Sequence, residues 1–179
     1  MGTDKALVDL GGVPMITRVA TALENAGCRV TVMGRDDHPA GLHSVPDSPV
    51  GLRGPVAGLF TALRTAGGSP VVLVGVDQPF LRTETITGLL AVADGDAVVP
   101  IAGGQRQPTC AVYWPNCAAI VADLLSGHDD PSLLSVLDRV PVHEVVPETW
   151  QSWGEDGSSW QSINTPEDLE MARRRVEPG

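Results

Sequence analysis

The chain has 179 residues, 42% hydrophobic and 19% charged, which is the composition of a folded globular protein with length enough for one domain, residues 1–179, and a sizeable core. Its formal net charge of −10 speaks against non-specific nucleic-acid binding, which needs clustered Lys and Arg to displace counterions. A nucleotide stays compatible, because backbone N–H groups, one Lys and a metal ion can bind phosphate within an acidic chain.

Helical and strand patterns alternate along the sequence. Residues 14–26 (PMITRVATALENA) place Ile16, Val19, Ala20 and Leu23 on one helical face, with Pro14 near the start and Gly27 near the stop. RVTVM (29–33) is β-branched and predicts a strand; HSVPD (43–47) predicts a short one ending at Asp47. Residues 54–68 (GPVAGLFTALRTAGG) predict a helix, with Pro55 early and Gly67–Gly68 as its stop. PVVLVGV (70–76) does not alternate, so both of its faces are expected to be buried, as in the middle of a parallel sheet. A helix over 83–93, strands over 96–100 and 109–114, helices over 116–125 and 131–137 and a strand over 142–146 follow. The last helix, 165–175, has Thr165 as N-cap, Pro166 at its first position and acidic Glu167 and Asp168 in its first turn. This alternation predicts a three-layer α/β fold with a mostly parallel sheet.

Cys28, Cys110 and Cys117 form an odd set at spacings of no zinc or disulfide pattern, which suits small buried apolar residues in a reducing compartment. No basic and apolar leader opens the chain, and no apolar run reaches the roughly 18 residues of a membrane span, so a soluble, cytoplasmic protein without membrane contact is expected. The four histidines have no ligand spacing, and GxGxxG, GxxxxGK[ST] and GxSxG are all lacking, which weakens dinucleotide, P-loop and hydrolase readings.

In open parallel sheets ligands bind beyond the carboxyl ends of strands, and Asp47 and Asp77 occupy such ends. A carboxylate there suits Mg²⁺, which takes one or two carboxylates plus phosphate oxygens. Equally, Asp77 can serve as a turn residue in VDQPF, with Pro79 turning the chain off the sheet. Lys5 is the only lysine, the other basic residues being Arg; it is either a compact charge kept for phosphate or a chance survivor on a tail. RGPVAGL (53–59) enters a helix through Gly-Pro, whose first-turn N–H groups could face phosphate, a pattern any helix can share. Arg106 and Gln107 sit on a loop that could face substrate or form a solvated hairpin tip. Trp150, Trp153 and Trp160 either stack on a flat heterocycle or anchor a polar, Gly/Ser-rich loop.

Taken in order, MG-x-DKAL, PDS before GPVAGL, GVDQPFL, RQPTCAVY and SINTPEDL resemble the molybdenum cofactor guanylyltransferases, MobA-type nucleotidyltransferases, over nearly the whole chain. The resemblance implies a Rossmann-like α/β/α fold and Mg²⁺-dependent transfer of GMP from GTP to molybdopterin cofactor, releasing pyrophosphate. GPVAGL is closer to the guanylyltransferase branch than to the cytidylyltransferases. It further implies Lys5 at the nucleotide phosphates, Asp47 on the nucleoside side, Asp77 at Mg²⁺, and Gln107 and Asn164 toward the pterin. Molybdoenzymes or their chaperones would be further partners. A relative using CTP or a sugar phosphate, and an inactive nucleotide-fold protein in cofactor delivery, are the alternatives.

The family pattern departs from this chain at several places. It often has His where Gln107 stands and Asn where Ser162 stands. It also begins with an apolar strand and LAGG-x-S-x-R ahead of MG-x-DK. Met1 coincides with the Met inside that pattern, so the fold is expected to lack the usual first strand and Gly-rich loop, and the reading frame to continue upstream. Without that strand, unpaired backbone is expected at the centre of the sheet.

Overall fold

A computed structural model describes residues 4–46, 54–92, 94–127 and 130–176. A 3-10 turn at Lys5–Leu7 and a hairpin, β1 (Asp9–Leu10) and β2 (Val13–Pro14), lead into helix α1 (Met15–Asn25). β3 (Val32–Met33), β4 (Ser44–Val45), α2 (Pro55–Thr65), β5 (Val71–Val74) and α3 (Thr83–Ala91) follow. The second half holds β6 (Ala97–Ala102), β7 (Gln105–Arg106), β8 (Cys110–Tyr113), α4 (Cys117–Ser126), α5 (Leu133–Leu137), β9 (Val142–Val145), α6 (Pro147–Ser152) and α7 (Pro166–Val176).

Side-chain alternation along the strands separates two cores and makes the three layers expected from sequence. Val98, Cys110, Val112 and Val145 face α1, α3 and two tryptophans. Ala97, Val99, Ala111 and Tyr113 face the other way, onto Val56, Leu59 and Leu63 of α2 and Val121 of α4. Such residues are fully buried, and truncating one large core side chain costs about 2–5 kcal/mol. Burial pushes the Cys117 thiol up to about 11 and raises Cys110 too, which suits inert packing thiols. Cys117 also touches the Asp96 carbonyl through its sulfur, at 3.1 Å.

Strand pairing refines the expectation of a mostly parallel sheet. β5, β6 and β9 run in one direction, and β8 lies reversed between β5 and β6, so those two ladders are antiparallel while β6–β9 is parallel. β7 folds back on β6 as a hairpin. β3 and β4 pair in parallel as a separate two-stranded piece. The apolar run 70–76 therefore does not sit between two parallel neighbours. β5 pairs only with β8 among the described residues, and all four of its residues are half-buried, not buried. The strand expected over 29–33 is paired only at Val32–Met33, because residues 29–31 meet no ladder partner.

The tryptophans anchor. Trp150 and Trp160 are buried edge to face, 5.8 Å between ring centroids, and Trp150 Nε1 donates to the Ile101 carbonyl at 2.9 Å. Trp153 lies against α3 at Gly88, where an added Cβ would fall 2.3 Å from the indole ring. This loop, Gly/Ser-rich and polar in sequence, is thus fixed by its aromatic residues.

Candidate active site

Lys5 is held by the residues around it. Asp4 caps the 3-10 turn, one carboxylate oxygen accepting from the Ala6 N–H at 3.1 Å. The other oxygen meets Arg35 Nη2 at 2.7 Å, and Arg35, just after β3, also grips Asp37 with two hydrogen bonds of 2.6 and 2.8 Å. The Arg35 guanidinium holds both carboxyls below the ordinary aspartate range. Ala6 packs into a small cluster with Ile16 and Val32, joined by Val76 from the end of the β5 segment. The turn carrying Lys5 is therefore tied to the carboxyl end of β3. From there Lys5 Nζ donates to Asn164 Oδ1 at 2.9 Å.

Asn164 is itself fixed from behind. The Asn164 and Thr165 N–H groups donate to Asp168 Oδ2 at 3.0 and 2.8 Å, and the Asp168 N–H donates to Thr165 Oγ1 at 3.1 Å. That reciprocal cap starts α7 where the sequence placed it. The Asn164 N–H is the main cause of the lowered Asp168 carboxyl. Upstream, the buried Glu155 carboxylate accepts from Ser159 Oγ at 2.5 Å, from Thr85 Oγ1, and from the Gly157 N–H at 2.7 Å. This buckle presses the 155–160 turn onto α3. It delivers the chain to Ile163, whose N–H donates to the Asp77 carbonyl at 2.8 Å.

Asp77 follows β5 after Gly75 and Val76. Its carboxylate accepts no hydrogen bond from a described residue and lies over Gly75, where an added Cβ would be 2.4 Å from Oδ1. Gly75 thus leaves room for the carboxylate, and its own N–H donates to the Thr109 carbonyl at 3.0 Å. Lys5, Asp77 and Asn164 are thus gathered at one end of the sheet by three tethers, Asp4–Arg35, Lys5–Asn164 and Ile163–Asp77.

Gln107 belongs to the same sheet end, since Thr109 opposes Gly75, but its amide is engaged elsewhere. Nε2 donates to the Ala102 and Gln105 carbonyls, both at 3.2 Å, closing the β6–β7 hairpin. Arg106 points to Glu144 and Asp138, at 2.7 and 3.1 Å. Tyr113, fully buried, donates its hydroxyl to the Pro108 carbonyl at 2.8 Å and so pins the loop from the core. Asp47 and Arg53 lie outside the described residues. Helix α2 does begin at Pro55, behind Gly54 at φ 99°, a backbone state that favours glycine.

Sequence reasoning passed over Arg35, Asp4, Gly75, Glu155 and Asp168. Asp4, Gly75 and Asp168 do lie inside the stretches MG-x-DKAL, GVDQPFL and SINTPEDL, whereas Arg35 and Glu155 become functional candidates only through contacts distant in sequence. Among the described residues, no three of His, Cys, Asp and Glu converge on a metal position. The single carboxylate of Asp77, unengaged by described residues, fits an ion such as Mg²⁺ that takes its other ligands from substrate phosphate and water.

Residues 1–143 match the MobA-like NTP transferase domain. The chain belongs to this family. Like other MobA-like NTP transferases it is a nucleotidyltransferase. A probable molybdenum cofactor guanylyltransferase from Pelotomaculum thermopropionicum is 32% identical over 99% of this chain and 87% of its own length. One from Natronomonas pharaonis is 35% identical over 97% of this chain and 90% of its own length. The crystal structure of molybdopterin-guanine dinucleotide biosynthesis protein A from Archaeoglobus fulgidus superposes with a TM-score of 0.80. It is 26% identical, covering 97% of this chain and 91% of the other. None of the described helices is long and apolar enough to cross a membrane.

Proposed function

We propose that this MobA-like transferase moves GMP from GTP onto molybdopterin cofactor, giving the guanine dinucleotide form and pyrophosphate. The observation that carries the reading is the Lys5–Asn164 hydrogen bond, with the neighbouring Ile163 N–H donating to the Asp77 carbonyl, so that two contacts link three sequence-distant stretches of the family pattern. It is supported by the names of relatives that match almost the full chain.

A terminal phosphate oxygen of molybdopterin attacks the α-phosphorus of GTP in line; the new P–O bond forms as the bond to the β-phosphate bridge breaks. The protein's part is positioning and charge neutralisation. Lys5 places its ammonium against the triphosphate, with Asn164 aiming it from the other side. Asp77 is the residue that would hold Mg²⁺, and the ion would supply charge neutralisation at the triphosphate. Asp47 serves the nucleoside side of GTP, and the 105–109 hairpin and Asn164 border the acceptor. Molybdoenzymes or their chaperones would receive the product.

The test is a transfer assay with purified protein, molybdopterin cofactor, Mg²⁺ and GTP, CTP or ATP in turn, reading dinucleotide and pyrophosphate together. Pyrophosphate and dinucleotide formed in equal amounts from GTP are expected. Faster transfer from CTP would move the chain to a cytidylyltransferase. GTP binding without transfer would make it a binding protein of cofactor delivery.

A further inference from the structure

Glu155 is a buried carboxylate, 3% exposed, and no ion pair reaches it among the described residues. Burying such a group is costly unless hydrogen bonds take up its lone pairs, and it seldom adds net stability. Here both oxygens are used. Oε1 accepts from the Gly157 and Ser159 N–H groups at 2.7 and 3.3 Å. Oε2 accepts from the Ser159 hydroxyl at 2.5 Å and from the Thr85 hydroxyl. The first pair shapes the 155–160 turn, and the second carries that turn to α3. Thr85 lies in the first turn of α3, whose N-terminus has no side-chain cap of its own; the Arg82 N–H donates to Ser159 Oγ at 3.0 Å instead. The carboxylate thereby faces the positive end of that helix.

This contact closes a ring of chain that has the candidate site at its other end. Residues 77–82 lead from Asp77 to α3, and residues 159–163 lead from Ser159 back toward Asn164. The two stretches run in opposite directions and are bonded at both ends, Arg82 to Ser159 and the Ile163 N–H to the Asp77 carbonyl at 2.8 Å. Between those ends Phe80 packs in one cluster with Ile163. Arg175 of α7 spans the two stretches, its Cζ 4.4 Å from the Phe80 ring centroid and its Nη1 donating to Gln161 Oε1 at 2.9 Å. With the sides stitched together, the seat of Ser159 on α3 sets the direction of the residue that follows Ile163.

We propose that Glu155 is a positioning residue of the transferase: its carboxylate fastens Ser159 to α3 and so holds the Asn164 amide where it meets Lys5. Glutamine keeps the volume but gives up the charge-assisted bonds. Its Nε2 must oppose either two backbone N–H groups or the two hydroxyls that donate to Oε2. The inference rests on Lys5 and Asn164 belonging to the transfer site, but the fastening itself can be read without any nucleotide.

Two readouts on the full chain test it, each in Glu155→Gln and in Thr85→Val, which removes the α3 contact and keeps the turn's own bonds. The first is amide hydrogen exchange without nucleotide. The Ile163 N–H should exchange about tenfold faster in both variants, while amides of the β6–β8 ladder keep their parent rates. An unchanged Ile163 rate would overturn the fastening. So would ladder amides that speed up as much as Ile163 in both variants, since that is a general loss of stability. The second readout is kcat/KM for the nucleotide the parent uses, in a cycle with Asn164→Ala. The loss should be roughly three- to tenfold in the parent and less than about twofold once the Asn164 amide is gone. An equal loss in both backgrounds would overturn action through Asn164. Faster Ile163 exchange, with transfer that Asn164→Ala itself does not touch, would overturn the site reading and Glu155's part in transfer while leaving the fastening in place.

Discussion

If Asn164 acts by aiming Lys5, then removing it should matter only while Lys5 is present. The two are joined by one exposed hydrogen bond of 2.9 Å. A hydrogen bond to a charged group contributes about 1.5–3 kcal/mol, and exposure brings this one just below that range, to about 1.4 kcal/mol or roughly tenfold in rate. An ammonium 4 Å from a phosphate charge at an effective dielectric of 20 is worth about 4 kcal/mol, nearly a thousandfold. Solvent at this open site lowers that to roughly a hundredfold for Lys5→Met. The assay is kcat/KM for GTP in a double-mutant cycle. Asn164→Ala should lose about tenfold in the parent and less than about twofold in Lys5→Met, a coupling of about 1–1.4 kcal/mol. Folding is not at stake, because the cap is made by the Asp168 carboxylate accepting from the backbone N–H of Asn164, which the substitution keeps. A double variant down roughly a thousandfold, the product of the two single losses, would refute the aiming role.

Asp77→Asn should keep the melting temperature within about 2 °C, since its carboxylate bonds no described residue, yet lose most Mg²⁺-dependent transfer; an unchanged rate removes Asp77 from the site. Gly75→Ala should also be mild in melting but push the Asp77 carboxylate aside, weakening Mg²⁺-dependent GTP binding in calorimetry by about tenfold. Gly88→Ala forces the Trp153 ring away from α3. Overpacking at about 2–3 kcal/mol, less about 1 kcal/mol of helix propensity, predicts a drop of roughly 3–6 °C in a thermal melt. Acid should loosen the Lys5 turn: Asp4 has its carboxyl lowered by Arg35, so the tether is intact above the unfolded value of about 3.9 and is lost as pH falls through the lower folded value. Ala6 amide exchange followed downward from pH 6 should show this loss, and Asp4→Asn should flatten it.

Layer order was legible in the sequence because it depends on local periodicity. The stripe of Ile16, Val19 and Leu23, the Gly-Pro start at 54–55 and the Thr165 cap each act within one turn, and each element formed where its pattern lay. Strand direction was not legible. Cys110–Tyr113 is apolar and unbroken whether it runs with or against β5, and only the β6–β7 hairpin reverses it. Nor could the run 70–76 reveal an open edge, since its composition is that of a strand buried on both sides. In the site, residue types were visible at Lys5, Asp77 and Asn164, but their union depends on Arg35 and Glu155, whose partners lie 31 to 70 residues away or across a separate strand pair. At Gln107 the sequence left a substrate contact and a hairpin tip both open, because a polar side chain on a loop reads the same in either; the amide closes the β6–β7 hairpin, and the role toward the acceptor belongs to the proposed function.

The same tethers explain how a single turn can position a charged side chain. Residues 4–7 form one 3-10 turn, too little to hold a charged side chain in place by itself. Asp4 fixes the turn to one half of the sheet, and Lys5 and Ala6 fix it to the other through Asn164 and Val76. Across that bridge the two halves share no ladder among the described residues. Relative motion of the halves would therefore be felt first at Lys5, the one ammonium side chain in the chain. Losing one anchor should therefore lower GTP affinity even where the residue removed does not touch the nucleotide. Calorimetry on the parent and on Arg35→Met, which removes the Asp4 anchor, reads this directly; equal GTP affinity in the two would separate that tether from the site.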